Sequence, residues 1–235
     1  MAARPTFIVA ICIGLAAIST ACAPKSQSSD AERAPVASGS PQPAAPPAAP
    51  QPASAPDSRP VIVTFGDSLT QGVSGKSYPA FLQDLLDQGG FSYRVDNQGV
   101  SGDTSTDGLA RIENVVAAKP ALVVVEFGGN DGLRGVPVET TRANLDQMLA
   151  RLKSAGISVV LAGITLPPNY GPDYVKPFTA LYPDLAHKYK LRYLPFLLID
   201  VYDKPGMMRP DGIHPTEEGN RIVARDVFDL IRPLL

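Results

Sequence analysis

The stretch Ala121-Leu122-Val123-Val124-Val125-Glu126-Phe127 decides the fold class of this 235-residue chain. It is an almost unbroken apolar run rich in β-branched residues, which is typical of a strand covered on both faces. A second run of this kind, Ile157–Ile164, follows after a segment with helical periodicity. Because strands of this type occur in α/β proteins, the two runs predict a parallel sheet with themselves at its centre.

Three further strands are predicted at Val61–Phe65, Tyr93–Asn97 and Tyr193–Leu198. Apolar residues at helical spacing predict helices between and after the strands. Their core-facing stripes are Tyr78, Phe81, Leu82, Leu85 and Leu86; Leu109, Ile112, Val115 and Val116; Leu145, Met148, Leu149 and Leu152; and Val223, Val227, Leu230 and Ile231. Lys119-Pro120 and Ala155-Gly156 end the second and third helices, and the last ends near Pro233. The predicted architecture is a three-layer α/β/α sandwich around a five-stranded parallel sheet.

The first 22 residues have the pattern of a secretory signal. Arg4 precedes an apolar run over residues 7–18, which is too short to span a bilayer as a helix, and small residues lead to Cys22. An exported protein is therefore predicted. Cys22 resembles the lipid-modified cysteine of bacterial lipoproteins, and Ala23 after it favours the outer membrane by the same resemblance. Ser19 departs from the aliphatic residue of that pattern, and ordinary cleavage at a small-residue site is the alternative.

Residues 23–59 are rich in Ala, Pro, Ser and Gln and contain almost no large apolar side chain. Such a segment cannot bury enough surface to offset its ordering entropy, so we predict a disordered tether that its prolines keep extended. A processed segment is the alternative. Residues 60–235 are then one globular domain.

The composition of this domain excludes several classes of function. The full chain has a formal net charge of −2 and no basic block, so it provides no electrostatic footprint for nucleic acid. Cys12 and Cys22 both precede the domain, which therefore needs no disulfide and offers no thiolate metal site. One loop histidine and scattered aspartates do not form the ligand set of a dinuclear metallophosphoesterase.

Four short motifs follow predicted strands or precede the last helix: Gly66-Asp67-Ser68-Leu69, Gly102-Asp103, Gly129-Asn130-Asp131 and Asp211-Gly212-Ile213-His214-Pro215. In such sheets, ligands bind outside the carboxyl ends of the strands, where the strand order reverses. The motifs are therefore expected to meet in one crevice. The first three motifs are each ordinary turn or helix-cap sequences on their own, and it is their co-occurrence with the Asp211–Pro215 motif that indicates a function.

Together the motifs supply the groups needed to hydrolyse an acyl ester. Ser68 is the predicted nucleophile and His214 the general base. The other histidine, His187, lies in a polar helical stretch at residues 186–189 that is predicted to be at the surface. Gly212 permits a tight turn that lets Asp211 orient His214. No Gly-x-Ser-x-Gly motif occurs, which argues against the usual α/β-hydrolase arrangement.

Negative charge develops on the carbonyl oxygen of an ester when a serine attacks it. Backbone N–H groups of Ser68 and Gly102 and the side-chain amide of Asn130 are the predicted donors to this oxyanion. Gly102 has no side chain and allows a close approach of the backbone.

The chain resembles the SGNH hydrolases, also called GDSL esterases and lipases, whose four lettered residues match Ser68, Gly102, Asn130 and His214. Four further segments resemble the bacterial multifunctional thioesterase/lysophospholipase branch, namely Val100-Ser101-Gly102-Asp103-Thr104-Ser105, Gly108-Leu109-Ala110-Arg111, residues 125–135 and Leu166-Pro167-Pro168-Asn169-Tyr170-Gly171.

The resemblance implies the flavodoxin-like fold of that superfamily and a cofactor-free hydrolase that accepts aryl esters, acyl thioesters and lysophospholipids. It also implies that residues 132–137 move over the bound acyl chain. Two alternatives remain: a carbohydrate O-acetylesterase with the same machinery, and a surface lipoprotein that binds lipid or glycan without turnover.

Overall fold

The structure, a computed structural model, describes residues 57–235. The predicted signal, Cys22 and all of the predicted tether before Asp57 lie outside the described residues. At the start of the described part, Arg59 Nη1 donates to the carbonyl of Tyr93 at 3.1 Å. Among residues 57–235, no helix combines the length and apolar character needed to cross a membrane.

The sheet contains five strands, all parallel, in the order β2-β1-β3-β4-β5. Their bounds are β1 Val61–Gly66, β2 Arg94–Gly99, β3 Leu122–Glu126, β4 Ser158–Ala162 and β5 Arg192–Leu194. In the register of the inner strands, Val123 pairs with Val63 on one side and Val159 on the other. The predicted parallel sheet, with the third and fourth apolar runs inside it, is confirmed, and β1 is the other interior strand.

Helices cover both faces of the sheet. They are α1 Ser68–Gln71, α2 Tyr78–Gln88, α3 Ser105–Ala110, α4 Ile112–Ala117, α5 Gly129–Leu133, α6 Val138–Ser154, α7 Pro172–Tyr189 and α8 Glu217–Ile231, with 3₁₀ turns at Pro168–Tyr170 and Arg232–Leu234. Helix α2 packs against α8, while α6 packs against α3, α4 and α7. The apolar stripes predicted from spacing lie on these packed faces, and the α/β/α sandwich is confirmed.

The fifth strand is shorter than predicted. Pairing stops at Leu194, whereas the apolar pattern extended the strand to Leu198. Proline has no N–H to donate to a ladder, so Pro195 ends the regular pairing. Leu197 N–H still donates to Gly163 O at 2.9 Å, but the chain then turns away.

Two helical predictions also need correction. The stripe from Leu109 to Val116 predicts one helix, but the chain breaks into α3 and α4 at Arg111, whose φ and ψ are −111° and 8°. Helix α7 was missed except around His187, because Pro177 and Pro183 lie inside it and prolines normally interrupt helices. Its packed face overrides that local preference, and His187 is exposed as predicted.

The strand order reverses between β1 and β3. From β1 the chain runs outward to β2 and then returns to β3 on the other side of β1. This topology leaves a crevice at the carboxyl ends of the strands. Ser68, Gly102 and Asn130 come two, three and four positions after the ends of β1, β2 and β3, so all three lie at this edge.

Candidate active site

Ser68 lies at the junction between β1 and α1. The Asp67 carboxylate caps the helix by accepting from the N–H of Leu69 at 2.9 Å, and this turn makes Ser68 the first residue of α1. Only 9% of Ser68 is exposed, yet its hydroxyl oxygen lies 2.8 Å from Nε2 of His214. The serine and the histidine, 146 positions apart in sequence, are thus in hydrogen-bonding contact.

A tight loop before α8 holds His214 and Asp211 together. Asp211 Oδ1 accepts from the N–H groups of Ile213 and His214, both at 2.9 Å, and Oδ2 lies 3.1 Å from His214 Nδ1. Gly212 has a φ of +68°, a left-handed conformation that glycine adopts without strain. The loop therefore orients the imidazole with one nitrogen toward Asp211 and the other toward Ser68.

The environment of Asp211 keeps its carboxylate ionised. Partial burial acts to raise the pKa of Asp211, but the backbone N–H groups of His214 and Ile213 and the imidazole outweigh it and lower the pKa to about 2. A carboxylate held in this way stabilises an adjacent imidazolium when one forms.

The groups predicted to bind an oxyanion line one cleft with Ser68. This cleft has a volume of about 210 Å³, and its lining includes Gly102, Asn130 and His214. Gly102 has a φ of +87°, which the turn after β2 requires. The N–H groups of Ser68 and Gly102 find no acceptor among residues 57–235. Both are therefore available to a bound molecule.

The amide of Asn130 is held from two sides. Its Nδ2 donates to Asp67 Oδ2 at 3.1 Å and to the carbonyl of Asp103 at 3.0 Å. Both N–H bonds of the amide are thus already engaged, contrary to the simple expectation of a free donor. To bind an oxyanion, Asn130 must share one of these hydrogens with the substrate.

Asp131, next to Asn130, is fully buried and fixes this segment in the core. Its carboxylate accepts from the N–H and hydroxyl of Ser105 at 2.8 and 2.5 Å and from the hydroxyl of Thr141 at 3.1 Å. These bonds connect α5 to α3 and α6. Asp131 therefore positions its neighbour without facing the cleft.

A model of the GDSL-like lipase/acylhydrolase family matches residues 64–222. The chain belongs to this family. It is 41% identical over 178 residues to "Esterase TesA" of Pseudomonas aeruginosa, which covers 74% of this chain and 89% of that protein. It is 39% identical over 170 residues to "Arylesterase" of Vibrio mimicus, covering 71% of this chain and 85% of that protein.

A third relative of this GDSL-family chain is "Thioesterase 1/protease 1/lysophospholipase L1" of Escherichia coli K12, 38% identical over 178 residues, with coverage of 74% and 84%. A crystal structure of TesA superposes with a TM-score of 0.71 and covers 74% of this chain and 99% of that one. The family and these relatives identify the chain as a carboxylic ester hydrolase, a serine esterase of the GDSL type. This excludes the alternative of a lipoprotein that binds without turnover.

Next to the cleft, the hydrolase has a second, apolar cavity of about 70 Å³. The two spaces share Leu69, Gly129, Leu133 and Ile213 as walls. The rest of its lining is mostly aliphatic and aromatic, with Ile164, Leu166, Pro167, Phe196, Leu198 and Tyr202. A molecule held at Ser68 can therefore extend an apolar group into this cavity.

Residues 132–137 of the hydrolase border the cleft and are held by several contacts. Arg134 Nη2 donates to the carbonyl of Gly102 at 2.9 Å, and the hydroxyl of Tyr174 donates to the carbonyl of Val136 at 2.6 Å. The expected movement of this segment over a substrate stays a prediction.

Two buried acids lie on the core side of Ser68, and sequence reasoning assigned neither a role. Glu126 Oε2 accepts from the hydroxyl of Thr70 at 2.8 Å and from the N–H of Asp67 at 3.3 Å. Burial, and then the charge of Asp67, hold the pKa of Glu126 well above its usual range. Burial also raises the pKa of Asp67 to about 6, against the opposing bond from Leu69. The sequence did carry a signal for Glu126, because it is the only charged residue in the apolar run 121–127.

Proposed function

We propose that Ser68, His214 and Asp211 are the catalytic residues of this esterase. The observation that carries the proposal is the continuous contact from Ser68 Oγ to His214 Nε2 at 2.8 Å and from His214 Nδ1 to Asp211 Oδ2 at 3.1 Å. This connectivity is the arrangement that serine hydrolases of unrelated folds use to activate a hydroxyl group.

In the proposed mechanism, Ser68 Oγ attacks the ester carbonyl while His214 Nε2 takes the hydroxyl proton. Asp211 stays ionised and stabilises the imidazolium. The tetrahedral intermediate collapses to an acyl-enzyme, and His214 gives the proton to the departing alcohol or thiol. Water then attacks the acyl-enzyme, again with His214 as the base, and releases the acid and the free serine. No cofactor takes part.

The N–H groups of Ser68 and Gly102 and the amide of Asn130 are proposed to stabilise the oxyanion. Two of these donors are unengaged among the described residues, and the third faces the same cleft. Donors that are fixed before the reaction need no reorganisation when charge develops, which makes this kind of stabilisation a large contribution to the rate.

We propose esters with an apolar acyl or aryl group as the substrate class. The apolar cavity beside Ser68 supports this choice because it can remove such a group from water. The names of the relatives suggest three candidate substrates for this chain, namely aryl esters, acyl thioesters and lysophospholipids. A carbohydrate O-acetylesterase has no use for an apolar cavity, since acetyl groups are small and sugars are polar.

A substrate panel tests both the residues and the substrate class. Full-length protein is assayed on p-nitrophenyl esters of increasing chain length, an acyl-CoA, a lysophospholipid and acetylated xylan, beside Ser68→Ala. We expect the wild-type protein to hydrolyse esters with apolar groups. Ser68→Ala should lose this activity. Wild-type rates in folded Ser68→Ala would contradict the nucleophile assignment, and activity confined to acetylated xylan would favour the deacetylase.

We also propose that the chain is exported to the periplasm and anchored to the outer membrane through Cys22, with residues 23–59 as the tether. The support is the sequence pattern around Cys22. An N-terminal diacylglycerol with an amide-linked chain provides stable anchoring, which one acyl chain alone does not. Expressed in a Gram-negative host, the protein should incorporate labelled palmitate and Cys22→Ser should not. Unlabelled wild type in the soluble fraction would contradict anchoring.

A further inference from the structure

Arg111 occupies the break between α3 and α4, where the apolar spacing alone predicts a continuous helix. Its guanidinium carbon lies 4.4 Å from the centroid of the Phe65 ring. Phe65 in turn packs edge-on against Phe127, with centroids 4.9 Å apart. The Arg111 side chain thus packs against aromatic rings near the ends of β1 and β3, and 21% of its surface is exposed.

From this position the guanidinium of Arg111 donates hydrogen bonds to three segments. Its Nη2 donates to the carbonyl of Gly66 at 2.9 Å, and Nη1 donates to the carbonyl of Gln98 at 2.8 Å. Nε donates to the carboxylate of Asp103 at 2.8 Å, forming an ion pair that is mostly shielded from solvent. The three acceptors lie at the end of β1, at the end of β2 and in the loop after β2.

Two of these segments carry a group of the proposed active site, and the third, the end of β2, leads into the loop that carries Gly102. Gly66 is two residues before Ser68, and Asp103 directly follows Gly102. The carbonyl of Asp103 also accepts from Asn130 Nδ2 at 3.0 Å. Arg111 therefore links the strand that carries the nucleophile to the loop that carries Gly102 and, through Asp103, to the amide of Asn130.

We propose that Arg111 is a positioning residue that sets the distance between Ser68 and the oxyanion donors Gly102 and Asn130. Arg111 is not among the described residues that line the cleft, so it acts through Asp103 and the strand ends and does not touch substrate. The proposal rests on the oxyanion roles assigned above.

The planar guanidinium is suited to this task in a way that lysine is not. It holds its donors in a rigid fork and stacks on aromatic rings, whereas the single ammonium of lysine cannot reach three fixed acceptors in three directions. Oxyanion stabilisation depends strongly on donor placement, and an error of about 1 Å costs on the order of 100-fold in rate. Replacing Arg111 should therefore lower kcat and leave substrate binding nearly intact.

The experiment compares Arg111→Ala, Arg111→Lys and Asp103→Asn with the wild-type full-length chain on one p-nitrophenyl ester. The matched control is Arg151→Ala, since Arg151 also forms a two-bond ion pair, with Glu113 at 2.6 and 2.8 Å, but on the exposed surface. Kinetic constants, thermal unfolding and inhibition by an alkylboronic acid are measured. The boronic acid forms a tetrahedral adduct with a reactive serine and mimics the charged intermediate.

Arg111→Ala is expected to lower kcat by about 10- to 100-fold with little change in KM, and Arg111→Lys should not restore it. The inhibition constant of the boronic acid should rise in parallel with the loss of kcat/KM. Methylguanidinium added at millimolar concentration should recover part of the kcat of Arg111→Ala without changing its KM. Arg151→Ala should behave as wild type.

A kcat near the wild-type value in Arg111→Ala and Arg111→Lys would overturn the proposal, as would a raised KM with kcat and boronic acid inhibition unchanged. If Arg111→Ala does not fold, Arg111→Lys and Asp103→Asn decide by the same criteria. Ser68→Ala is measured in the same assay. If it is inactive while the Arg111 variants are fully active, this inference fails and the proposed catalytic residues stand.

Discussion

The carboxylates on the two sides of Ser68 behave in opposite ways. On the loop side, Asp211 has a pKa lowered to about 2, although burial opposes this, because three N–H groups of the loop surround it. On the core side, burial raises the pKa of Asp67 to about 6 and that of Glu126 well above its usual range. The environment of Asp211 thus favours the ionised carboxylate, whereas burial of Asp67 and Glu126 favours the protonated form.

Burial explains most of the difference, because Asp67 and Glu126 are buried whereas 38% of the Asp211 side chain is exposed. For Glu126 the placement of hydrogen bonds adds to this effect. Both oxygens of Asp211 receive N–H bonds, whereas Glu126 receives its two bonds on one oxygen. Its other oxygen, Oε1, is buried without a partner among the described residues. An anion suits a charge-stabilising role beside an imidazole, and a neutral acid suits a structural role under the serine turn.

The largest effect is expected on the loop side of Ser68, for the loss of the His214 imidazole. His214→Ala removes the proposed base and should lower kcat by on the order of 10⁶-fold, as the loss of a catalytic histidine does in other serine hydrolases. Steady-state kinetics on an aryl ester measure the loss. His187→Ala, at an exposed position, is the control and should keep full activity. A loss smaller than about tenfold would remove His214 from the mechanism.

Asp211→Ala should be less severe than loss of the histidine, by roughly two orders of magnitude, because the base remains but loses its orientation and the charge that stabilises its protonated form. Kinetics at several pH values measure this. Asp229→Ala, an exposed aspartate on α8, is the matched control. Equal rates for Asp211→Ala and wild type would show that the loop carboxylate has no catalytic role.

The next effect concerns the cleft between the two sides, where Asn130 lies against Asp67. Asn130→Ala should lower kcat by about 100- to 1000-fold with a much smaller change in KM, because an oxyanion donor acts on the transition state. The exposed Asn114→Ala is the control. A large rise in KM with kcat unchanged would instead make Asn130 a residue that binds substrate.

The smallest effect is expected on the core side of Ser68, where Glu126 should change the pH dependence of the free energy of unfolding. Burial raises the pKa of Glu126 on folding, so above the ordinary value of 4.5 the folded chain holds a proton at this site more readily than the unfolded chain. Wild-type stability should fall relative to Glu126→Gln as the pH rises from 5 to 7, by up to about 1.4 kcal/mol per pH unit.

Denaturant unfolding at pH 5 and pH 7 measures that difference, with the exposed Glu218→Gln as the control. Because glutamine can accept the same two hydrogen bonds, kcat of Glu126→Gln should stay close to the wild-type value. A stability difference that does not depend on pH would mean that folded Glu126 is ionised, and the contrast between the two sides would then not hold.

Much of the fold was predictable because it depends on local patterns. The apolar runs of β1, β3 and β4 and the stripes of α2, α6 and α8 repeat with the periods of strand and helix, so short windows reveal them. The predictions were less accurate around three prolines, because their effect is not a local pattern. These are Pro195 after β5 and Pro177 and Pro183 inside α7. Whether a proline ends an element depends on the partners that the packed chain offers.

Sequence by itself determined which residues could perform ester hydrolysis. Ser68, Gly102, Asn130, Asp211 and His214 stand in short motifs beside strands or a helix, and the chemistry of those residue types limits the reactions available to them. Their positions after predicted parallel strands and before the last helix were enough to predict that they share one edge of the sheet.

Only the tertiary structure decided the charge state and the support of that site. Three features depend on burial and on distances between residues far apart in the chain. They are the raised pKa of Glu126, the two engaged N–H bonds of Asn130, and the contacts of Arg111 at the break between α3 and α4. Burial and hydrogen bonding set pKa values and side-chain orientation, and neither can be read from a residue and its sequence neighbours.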